Sequence, residues 1–384
     1  MKRFLILLLI LMLCVGTAAA EFWLYCDYRL VTEKGISTAY ITEYTNNFDF
    51  SPTEVIIPSY RDNYKVTRID NRAFASCSVP QSIIIPKSVT SIGQYAFSWC
   101  TALNHITIPN TVTTIEDGAF GGCAALENIV LPNKLKTISP FLFGDCSALT
   151  NVTIPNSVTS IGRVSFAGCS ALKSLTIPDT VTSIGDNAFS ACTALENINI
   201  PDGVSVIEAR TFDSCKSLKT ITLPNSVTSI GNGAFYGCSA LSSITIPDAV
   251  HTIDDYAFNT CTFLKSVTIP ASVTSIGNQV FTKCPYVTLY VECNSFAEQY
   301  AIDHYINYVC GCNGGSDEPA PTLPGDATDN DAVTLDDAIA ILQHVTDGKT
   351  INAVNADVDG NDVVDISDAL LIMQYEAGWN VSFQ

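Results

Sequence analysis

The chain has 384 residues, a formal net charge of −19 and a hydrophobic fraction of 47%. This length suits two domains or one long array of repeats. The negative charge excludes the basic surface that nucleic-acid-binding proteins present, and it also disfavours binding to anionic membrane surfaces.

The first twenty residues have the order of a secretory signal peptide. Lys2 and Arg3 precede an apolar run from Phe4 to Val15, and small residues follow as far as Ala20. This run is too short to span a bilayer, so a retained membrane anchor is the weaker alternative. The sequence therefore predicts a signal peptide over 1–20, no membrane span, and a secreted, extracellular protein.

One pattern recurs every 23 residues through most of the chain. Each unit has a phenylalanine, and a cysteine follows it three residues later. The phenylalanines are Phe74, Phe97, Phe120, Phe143, Phe166, Phe189, Phe212, Phe235, Phe258 and Phe281. The cysteines are Cys77, Cys100, Cys123, Cys146, Cys169, Cys192, Cys215, Cys238, Cys261 and Cys284. A fixed period of this length is the signature of a solenoid.

Residues 171–192, "ALKSLTIPDTVTSIGDNAFSAC", show what one unit predicts. The alternation over 172–177 indicates a strand that Pro178 ends, because proline has no N–H for a sheet. A second short strand over 181–184 leads through Gly185 into a helical turn that buries Phe189. The predicted fold class is therefore an α/β repeat solenoid of 23-residue coils, stacked about 4.8 Å apart.

The repeated cysteine has two interpretations. Equivalent residues of adjacent coils would lie near the separation that a disulfide needs, and export permits oxidation. A cysteine at the same place in every coil also suits a small buried filler, and the neighbouring residues show no two-coil alternation. The second interpretation is favoured, so we expect reduced thiols.

Ten units of the form "IPxxVTSIGxxAFxxC" resemble the BspA-like leucine-rich repeat family. The resemblance implies repeats over 58–284, an N-terminal cap over 21–57 and a C-terminal cap over 285–310. The segment 294–309 is similar to the helix and final strand that close such arrays. Adhesion and the binding of proteins or surfaces are what the family implies. A Gly- and Pro-rich linker follows over 311–324.

The tail over 325–384 carries eleven Asp, one Glu and one Lys, a net charge of −11. Two twelve-residue segments, 326–337 and 357–368, place oxygen-bearing residues at the alternate positions of an EF-hand calcium loop. The first set of ligands is Asp326, Thr328, Asn330, the Ala332 carbonyl, Thr334 and Asp337. The second set is Asp357, Asp359, Asn361, the Val363 carbonyl, Asp365 and Asp368. The copies lie 31 residues apart, and each leads into an apolar helix, which a merely acidic tail does not explain.

These two loop-helix units resemble a type I dockerin, a small all-α calcium-binding domain that docks on a cohesin module of a cellulosome scaffold. Asp337 and Asp368 close the loops, as the family requires. Asp331 and Asp362 depart from it, since the family has glycine at that bend. Fewer acids in the first loop predict that the second Ca²⁺ site is the stronger. The cohesin contacts implied by the resemblance are Leu335, Asp336, Leu342, Gln343, Ile366, Ser367, Met373 and Gln374.

The outward residues of the predicted strands are polar and nearly free of aromatic rings. A polysaccharide platform would be expected to show Trp or Tyr stripes there. No nucleophile, zinc or phosphate motif appears, so we expect a non-catalytic protein. The sequence predicts a secreted adhesion protein, held by its dockerin on a cohesin-bearing scaffold, whose repeats bind a protein, a cell surface or cell-wall material. A structural spacer and a polysaccharide-processing enzyme with an unrecognised active site stay open as alternatives.

Overall fold

The computed structural model of the chain describes residues 26–33, 36–44, 53–311, 338–342, 345, 358, 364 and 366–376. The chain divides into two compact units, Met1–Tyr286 and Val287–Gln384. The predicted signal peptide over 1–20 lies outside the described residues, as does the predicted linker except for Gly311. The predicted domain boundaries stay predictions.

The first unit is built from short strands. They are β1 (Cys26–Glu33), β2 (Ile36–Tyr44), β3 (Glu54–Ile56), β4 (Tyr60–Arg61), β5 (Tyr64–Ile69), β6 (Ser82–Ile84), β7 (Ser91–Ile92), β8 (His105–Thr107), β9 (Thr114–Ile115), β10 (Asn128–Val130), β11 (Thr137–Ile138), β12 (Asn151–Thr153), β13 (Ser160–Ile161), β14 (Ser174–Leu175), β15 (Ser183–Ile184), β16 (Asn197–Ile198), β17 (Val206–Ile207), β18 (Ser229–Ile230), β19 (Ser243–Thr245), β20 (Thr252–Ile253), β21 (Ser266–Ile269) and β22 (Ser275–Ile276).

The coils contribute strands to two faces, each built of parallel strands, which confirms the predicted solenoid. The first strand face comprises β3, β6, β8, β10, β12, β14, β16, β19 and β21, and between β16 and β19 one coil has only an isolated bridge, from Thr220 to Ser243. The second strand face comprises β5, β7, β9, β11, β13, β15, β17, β18, β20 and β22. Pairing follows the 23-residue period, as in Asn128 with Asn151 and Ser160 with Ser183. The alternation of exposed and buried residues along each strand buries the apolar side chains inside the coil.

The third side of each coil, which we call the turn face, corrects the predicted α/β class. It runs from the end of the second strand to the cysteine, residues 93–100 in one coil, and it consists of turns where a helical turn was expected. The reason is that the N–H groups of Tyr95, Phe97 and Trp99 donate to carbonyls of the next coil, at 2.9, 2.8 and 2.7 Å. A helix would need those groups for bonds within its own segment. The repeats are therefore a parallel β-solenoid.

The turn face of every coil has two residues with left-handed backbone. One lies two positions before the repeat phenylalanine and the other lies two positions after it, in all ten coils. Glycine, which tolerates this conformation, fills only five of these twenty positions. Val164 is a β-branched example, with φ 57°, and its N–H donates to the Asp186 carbonyl at 2.9 Å. Hydrogen bonds between coils thus hold a conformation that these side chains disfavour.

The repeat phenylalanines form one continuous column in the core. From Phe74 to Phe281, successive ring centroids are 5.0–5.9 Å apart and the rings are nearly parallel. Tyr44 of β2 extends the column, with its ring centroid 5.0 Å from that of Phe74. Burying each ring contributes about 3 kcal/mol, so the column is a main source of cohesion between coils.

The repeat cysteines form a second buried column, and the expectation of reduced thiols is confirmed. From Cys100 to Cys284, each Sγ donates to the carbonyl of the phenylalanine 26 residues earlier, at 3.0–3.2 Å. Burial raises the pKa of the Cys146 and Cys192 thiols to about 12, because a thiolate there would lose its water. Outside the column, Cys310 is a thiol and Cys293 is disulfide-bonded.

An antiparallel hairpin of β1 and β2 precedes the coils, and β2 pairs in parallel with β5. The Arg29 guanidinium lies 2.7 Å from the Asp70 carboxylate, which joins the hairpin to the first coil. Arg68 reaches the Glu116 carboxylate two coils further on, at 3.0 Å. These ion pairs fasten the hairpin and the first three coils to one another.

The second unit contains β23 (Thr288–Val291), α1 (Phe296–Asp303), β24 (Asn307–Cys310), a helical stretch over 338–342 and α2 (Ile366–Glu376). The Ser295 Oγ accepts a hydrogen bond from the Glu298 N–H and so caps α1. Thus a helix and a strand occupy the segment 294–309, where they were expected. None of the helices in the described part of the chain has the length and hydropathy that a membrane span needs.

Candidate functional site

The first strand face is polar on its outer side, as the sequence predicts. His105 and Thr107 are exposed on either side of the buried Ile106. The Asn151 Nδ2 donates to the Asn128 Oδ1 of the preceding coil at 2.6 Å, so neighbouring side chains partly satisfy each other. This arrangement suits a solvated β surface and indicates no particular ligand.

A shallow depression of about 500 Å³ interrupts this face, where Asn199 replaces the threonine of most coils. The Asn199 side chain accepts from the Ile177 N–H and donates to the Ile177 carbonyl, both at 2.8 Å. In other coils that N–H donates to a main-chain carbonyl, as Ile246 does to Thr268. Polar residues such as Asn197 rim the depression, and its size lies in the range of small-molecule sites.

The turn face carries the aromatic residues that the strand faces lack. Tyr95 and Trp99 are 37% and 57% exposed and belong to one coil. Their rings lie over Gly118 and Gly122 of the next coil. A Cβ on Gly118 would clash with the Tyr95 ring, and a Cβ on Gly122 would lie 2.6 Å from the Trp99 indole. Because glycine has no side chain, the two rings can pack closely against the main chain of the next coil.

Within the described ranges, no group of three or more His, Cys, Asp or Glu side chains is placed to hold a metal ion. Most predicted calcium ligands lie outside these ranges. They are Asp326, Thr328, Asn330, Ala332, Thr334, Asp337, Asp357, Asp359, Asn361, Val363 and Asp365.

Asp368, which closes the second predicted loop, is a described ligand candidate. Its side chain is fully buried, and its Oδ1 accepts a hydrogen bond from the Val358 N–H at 2.8 Å. Val358 is the second residue of the same twelve-residue segment. The carboxylate of the last residue of this segment therefore contacts the backbone near the segment's beginning.

The two predicted helices bury equivalent residues, 31 positions apart. Ala338 and Ala369 are fully buried in one apolar cluster, and so are Ile341 and Ile372. Val358 belongs to the same cluster. The sequence duplication is thus matched by burial of the same positions in both copies.

The predicted cohesin contacts are only partly described. Ile366 is 61% exposed, Ser367 and Met373 are exposed, and Gln374 is half-buried. Leu342 is partly buried and packs against the apolar cluster, and its predicted cohesin contact stays a prediction. Leu335, Asp336 and Gln343 lie outside the described residues.

Comparison with known families gives a match over most of the repeats. A model of the BspA type leucine-rich repeat region, in six copies, matches residues 67–196 and 182–305. The chain belongs to the BspA-type leucine-rich repeat family. The matched region contains the turn face, both columns of repeat residues in the core and the two strand faces apart from β3 and the first residues of β5. It ends before the acidic tail, so the interpretation of the tail depends on its own residues.

Solved structures of other repeat proteins are similar to the BspA-type chain. A leucine-rich repeat protein from Bacteroides ovatus is 25% identical, with 76% of this chain and 98% of that chain covered and a TM-score of 0.43. A leucine rich cell surface protein from Faecalibacterium prausnitzii is 30% identical, with 72% and 95% covered and a TM-score of 0.41. The pneumococcal vaccine antigen PcpA is 19% identical, with 75% and 97% covered and a TM-score of 0.49. A search of curated proteins found no match.

Sequence reasoning missed the aromatic pair of the BspA-type repeats because it considered aromatic stripes only on the strand faces. A usable signal was present in the spacing. Tyr95 and Trp99 flank Phe97 symmetrically, and Gly118 and Gly122 flank the next phenylalanine in the same way. Aligning the turn-face positions of all coils would have shown two aromatic residues followed one period later by two glycines.

Proposed function

We propose that this chain is a secreted, non-catalytic binding protein that docks on a cohesin through a calcium-dependent type I dockerin. The burial of Asp368 and its hydrogen bond to Val358 carry the proposal. A buried carboxylate is costly unless hydrogen bonds or a cation compensate it. A Ca²⁺ ion between the carboxylate and the other loop oxygens would add to the compensation that hydrogen bonding already gives Asp368.

The residues fit calcium because they provide oxygen ligands without histidine or thiolate sulfur, as a hard cation prefers. When bound, Ca²⁺ would draw each loop around itself and set the start of the following helix. In the second loop, the Ca²⁺ ion would be bound by Asp357, Asp359, Asn361, Val363 and Asp368. In the first loop, it would be bound by Asp326, Thr328, Asn330, Ala332 and Asp337.

The cohesin-binding surface that we propose is the outer side of α2. Ile366, Leu370 and Met373 are exposed, and their spacing places them on one side of the helix. Ser367 is exposed beside them. An exposed apolar stripe of this kind on a small domain is typical of a surface that binds a partner protein. The equivalent positions of the first helix begin at Leu335 and Asp336, so a second binding orientation belongs to the proposal.

The repeats would then present a binding surface of their own. Support comes from membership of the BspA-type family and from the similar protein of Faecalibacterium prausnitzii, which is named a cell surface protein. The predicted signal peptide over 1–20 would direct export. The ligand of the repeats would be a protein, a cell surface or cell-wall material.

The test is binding of the full chain to a panel of immobilised cohesins in calcium. The double variant Leu335→Asp with Ile366→Asp changes both helices, and we expect it to abolish binding. Either single variant should bind through the unchanged helix. Phe263→Asp is the matched control, because Phe263 on the repeats is 62% exposed, much like Ile366. Normal binding by the double variant would contradict the proposed surface.

A further inference from the structure

The corner between the turn face and the first strand face has a distinct composition in the last four coils of the repeats. We call this corner the corner strip, and it comprises residues 214–220, 237–243, 260–266 and 283–286. It carries four lysines, two aromatic residues and no acidic residue. The charged and aromatic residues are Lys216, Lys219, Phe263, Lys265, Lys283 and Tyr286.

The lysines and the rings of the corner strip are accessible. All four lysines are exposed, and none of them forms an ion pair with a described residue. Phe263 and Tyr286 are 62% and 63% exposed, and no described guanidinium group or second ring packs against either. Both rings occupy the second position after a repeat cysteine, where the coils from residue 102 to residue 240 have alanine or serine. Two neighbouring exposed rings bordered by free charges favour a binding surface over a merely solvated corner.

Hydrogen bonds between successive coils hold the corner strip in register. The Ser242 N–H donates to the Lys219 carbonyl at 3.0 Å, and the Lys265 N–H donates to the Ser242 carbonyl at 2.9 Å. In the same way, the Phe263 N–H donates to the Ser239 carbonyl at 3.2 Å. Lys219 and Lys265 therefore lie two coils apart, about 10 Å at the strand spacing, with a small serine between them.

The positive charge of the corner strip is local. Residues 53–286 carry 14 Lys and Arg against 16 Asp and Glu, so the repeats are nearly neutral, unlike the tail. Glu196 occupies the position of Lys219 one coil earlier, where the strip ends. Asp213 lies beside the strip and is paired with Arg210 at 4.0 Å. Because salt screens exposed charges more than about 10 Å away, a ligand on the strip would interact mainly with the lysines.

We propose that the corner strip binds an acidic polysaccharide, a polymer of uronic acids. Its carboxylates would pair with Lys219 and Lys265, which recur along the solenoid as the charges recur along such a polymer. The apolar faces of its sugar rings would lie against Phe263 and Tyr286. An acidic protein partner is disfavoured because the strip offers six such residues, whereas stable protein interfaces need about 20–30 residues a side.

This inference names a ligand class for the repeats and rests on the binding role proposed for them. It involves neither calcium nor the tail. EDTA separates the two proposals, because it removes the calcium that the dockerin would need and that uronic acid polymers also bind. Polysaccharide binding in EDTA without cohesin binding in calcium would contradict the dockerin alone, and the reverse result would contradict the corner strip alone.

The experiment is binding of the full chain to agarose-coupled polygalacturonate in EDTA, with the methyl-esterified polymer as the uncharged probe. We expect polygalacturonate to bind the chain, the methyl ester to bind it far more weakly, and added salt to weaken binding. The double variant Lys219→Gln with Lys265→Gln should raise the Kd about tenfold, since two exposed charge pairs are lost. Lys87→Gln with Lys134→Gln is the matched control, because these exposed lysines also lie about two coils apart but outside the strip. We expect this control to leave the Kd unchanged.

Tyr286→Ala tests the aromatic part of the corner strip. It should weaken binding, whereas Tyr60→Ala, which removes a ring that is 58% exposed on β4, should not. All the substituted residues are exposed, so urea unfolding of each variant should match that of the unchanged chain. Absence of binding to polygalacturonate, equal binding to the methyl ester or equal effects of the two double variants would overturn the proposal. Tighter binding to immobilised poly-glutamate than to polygalacturonate would also overturn it, in favour of an acidic protein partner.

Discussion

The buried cysteine column should make the repeats lose stability in alkali, and Cys192→Ala tests this directly. The Cys192 thiol is fully buried and donates to the Phe166 carbonyl at 3.1 Å. Burial raises its pKa from an ordinary 9.0 to about 12. The folded chain therefore keeps this proton over a pH range in which the unfolded chain releases it.

The size of the effect follows from the two pKa values. A group whose pKa is raised by folding contributes stability that is complete below the pKa of the unfolded state. That contribution falls by about 1.4 kcal/mol for each pH unit between pH 9.0 and about 12. Over the whole range, ionisation of the Cys192 thiol in the unfolded chain should lower the free energy of unfolding by about 4 kcal/mol. Alanine carries no proton there, so its only cost is a pH-independent one of roughly 1 kcal/mol for the lost sulfur.

The assay is urea unfolding followed by circular dichroism, at pH values from about 8 to about 11. The unfolding free energy of Cys192→Ala should fall less steeply with pH than that of the unchanged chain, by about 1.4 kcal/mol per pH unit. Cys310→Ala is the control, since Cys310 lies outside the column. Its thiol pKa is also raised, by desolvation and by Glu298, but it is much less buried than Cys192, so we expect a smaller flattening. Parallel pH dependences for Cys192→Ala and the unchanged chain would refute the argument, and so would an equal flattening in Cys310→Ala.

Three further predictions concern the same core and turns. Phe189→Ala should cost about 3–5 kcal/mol in urea unfolding, because the ring is fully buried and its centroid lies 5.5 and 5.6 Å from those of its neighbours; a cost below about 1 kcal/mol would contradict a packed column. Val164→Gly should raise the melting temperature, since it relieves the left-handed valine by roughly 1 kcal/mol; Val158→Gly, at a buried position without positive φ, should lower it. A thiol reagent such as Ellman's should label Cys310 in the folded chain and the column only after unfolding; rapid labelling of the column before unfolding would count against its burial.

The period of the sequence made most of the solenoid predictable. The 23-residue spacing of Phe97, Cys100 and their equivalents predicts stacked coils, inward apolar residues and a reduced cysteine column. Each of these depends on a side chain repeated in phase, so one correct unit predicts all the others.

The turn face could not be predicted in the same way, because its structure depends on hydrogen bonds between coils. The segment "GQYAF", residues 93–97, suits a helical turn when read alone. In the fold, the Tyr95 N–H donates to the Asp117 carbonyl, 22 residues later in the chain. Tertiary bonding thus overrides local preference, and the same bonding brings Tyr95 over Gly118.

In the tail as well, the sequence predicts some features and leaves others open. The 31-residue duplication predicts that Ala338 and Ala369 are equivalent, and both are buried. Which apolar residues face outward depends on the rotation of each helix against the other, and spacing alone leaves that open. Leu370 could have packed between the helices, yet it is 49% exposed.

The measurement that tests the central proposal most directly is binding of the full chain to a cohesin panel, first in calcium and then after chelation with EDTA. The account predicts tight binding to at least one cohesin in calcium, loss of that binding in EDTA and its return when calcium is restored. The Asp368→Ala variant should need more calcium for the same binding, because it lacks the closing ligand of the second loop. Binding that persists in EDTA, or no binding to any cohesin in calcium, would contradict the proposal that the tail is a calcium-dependent dockerin.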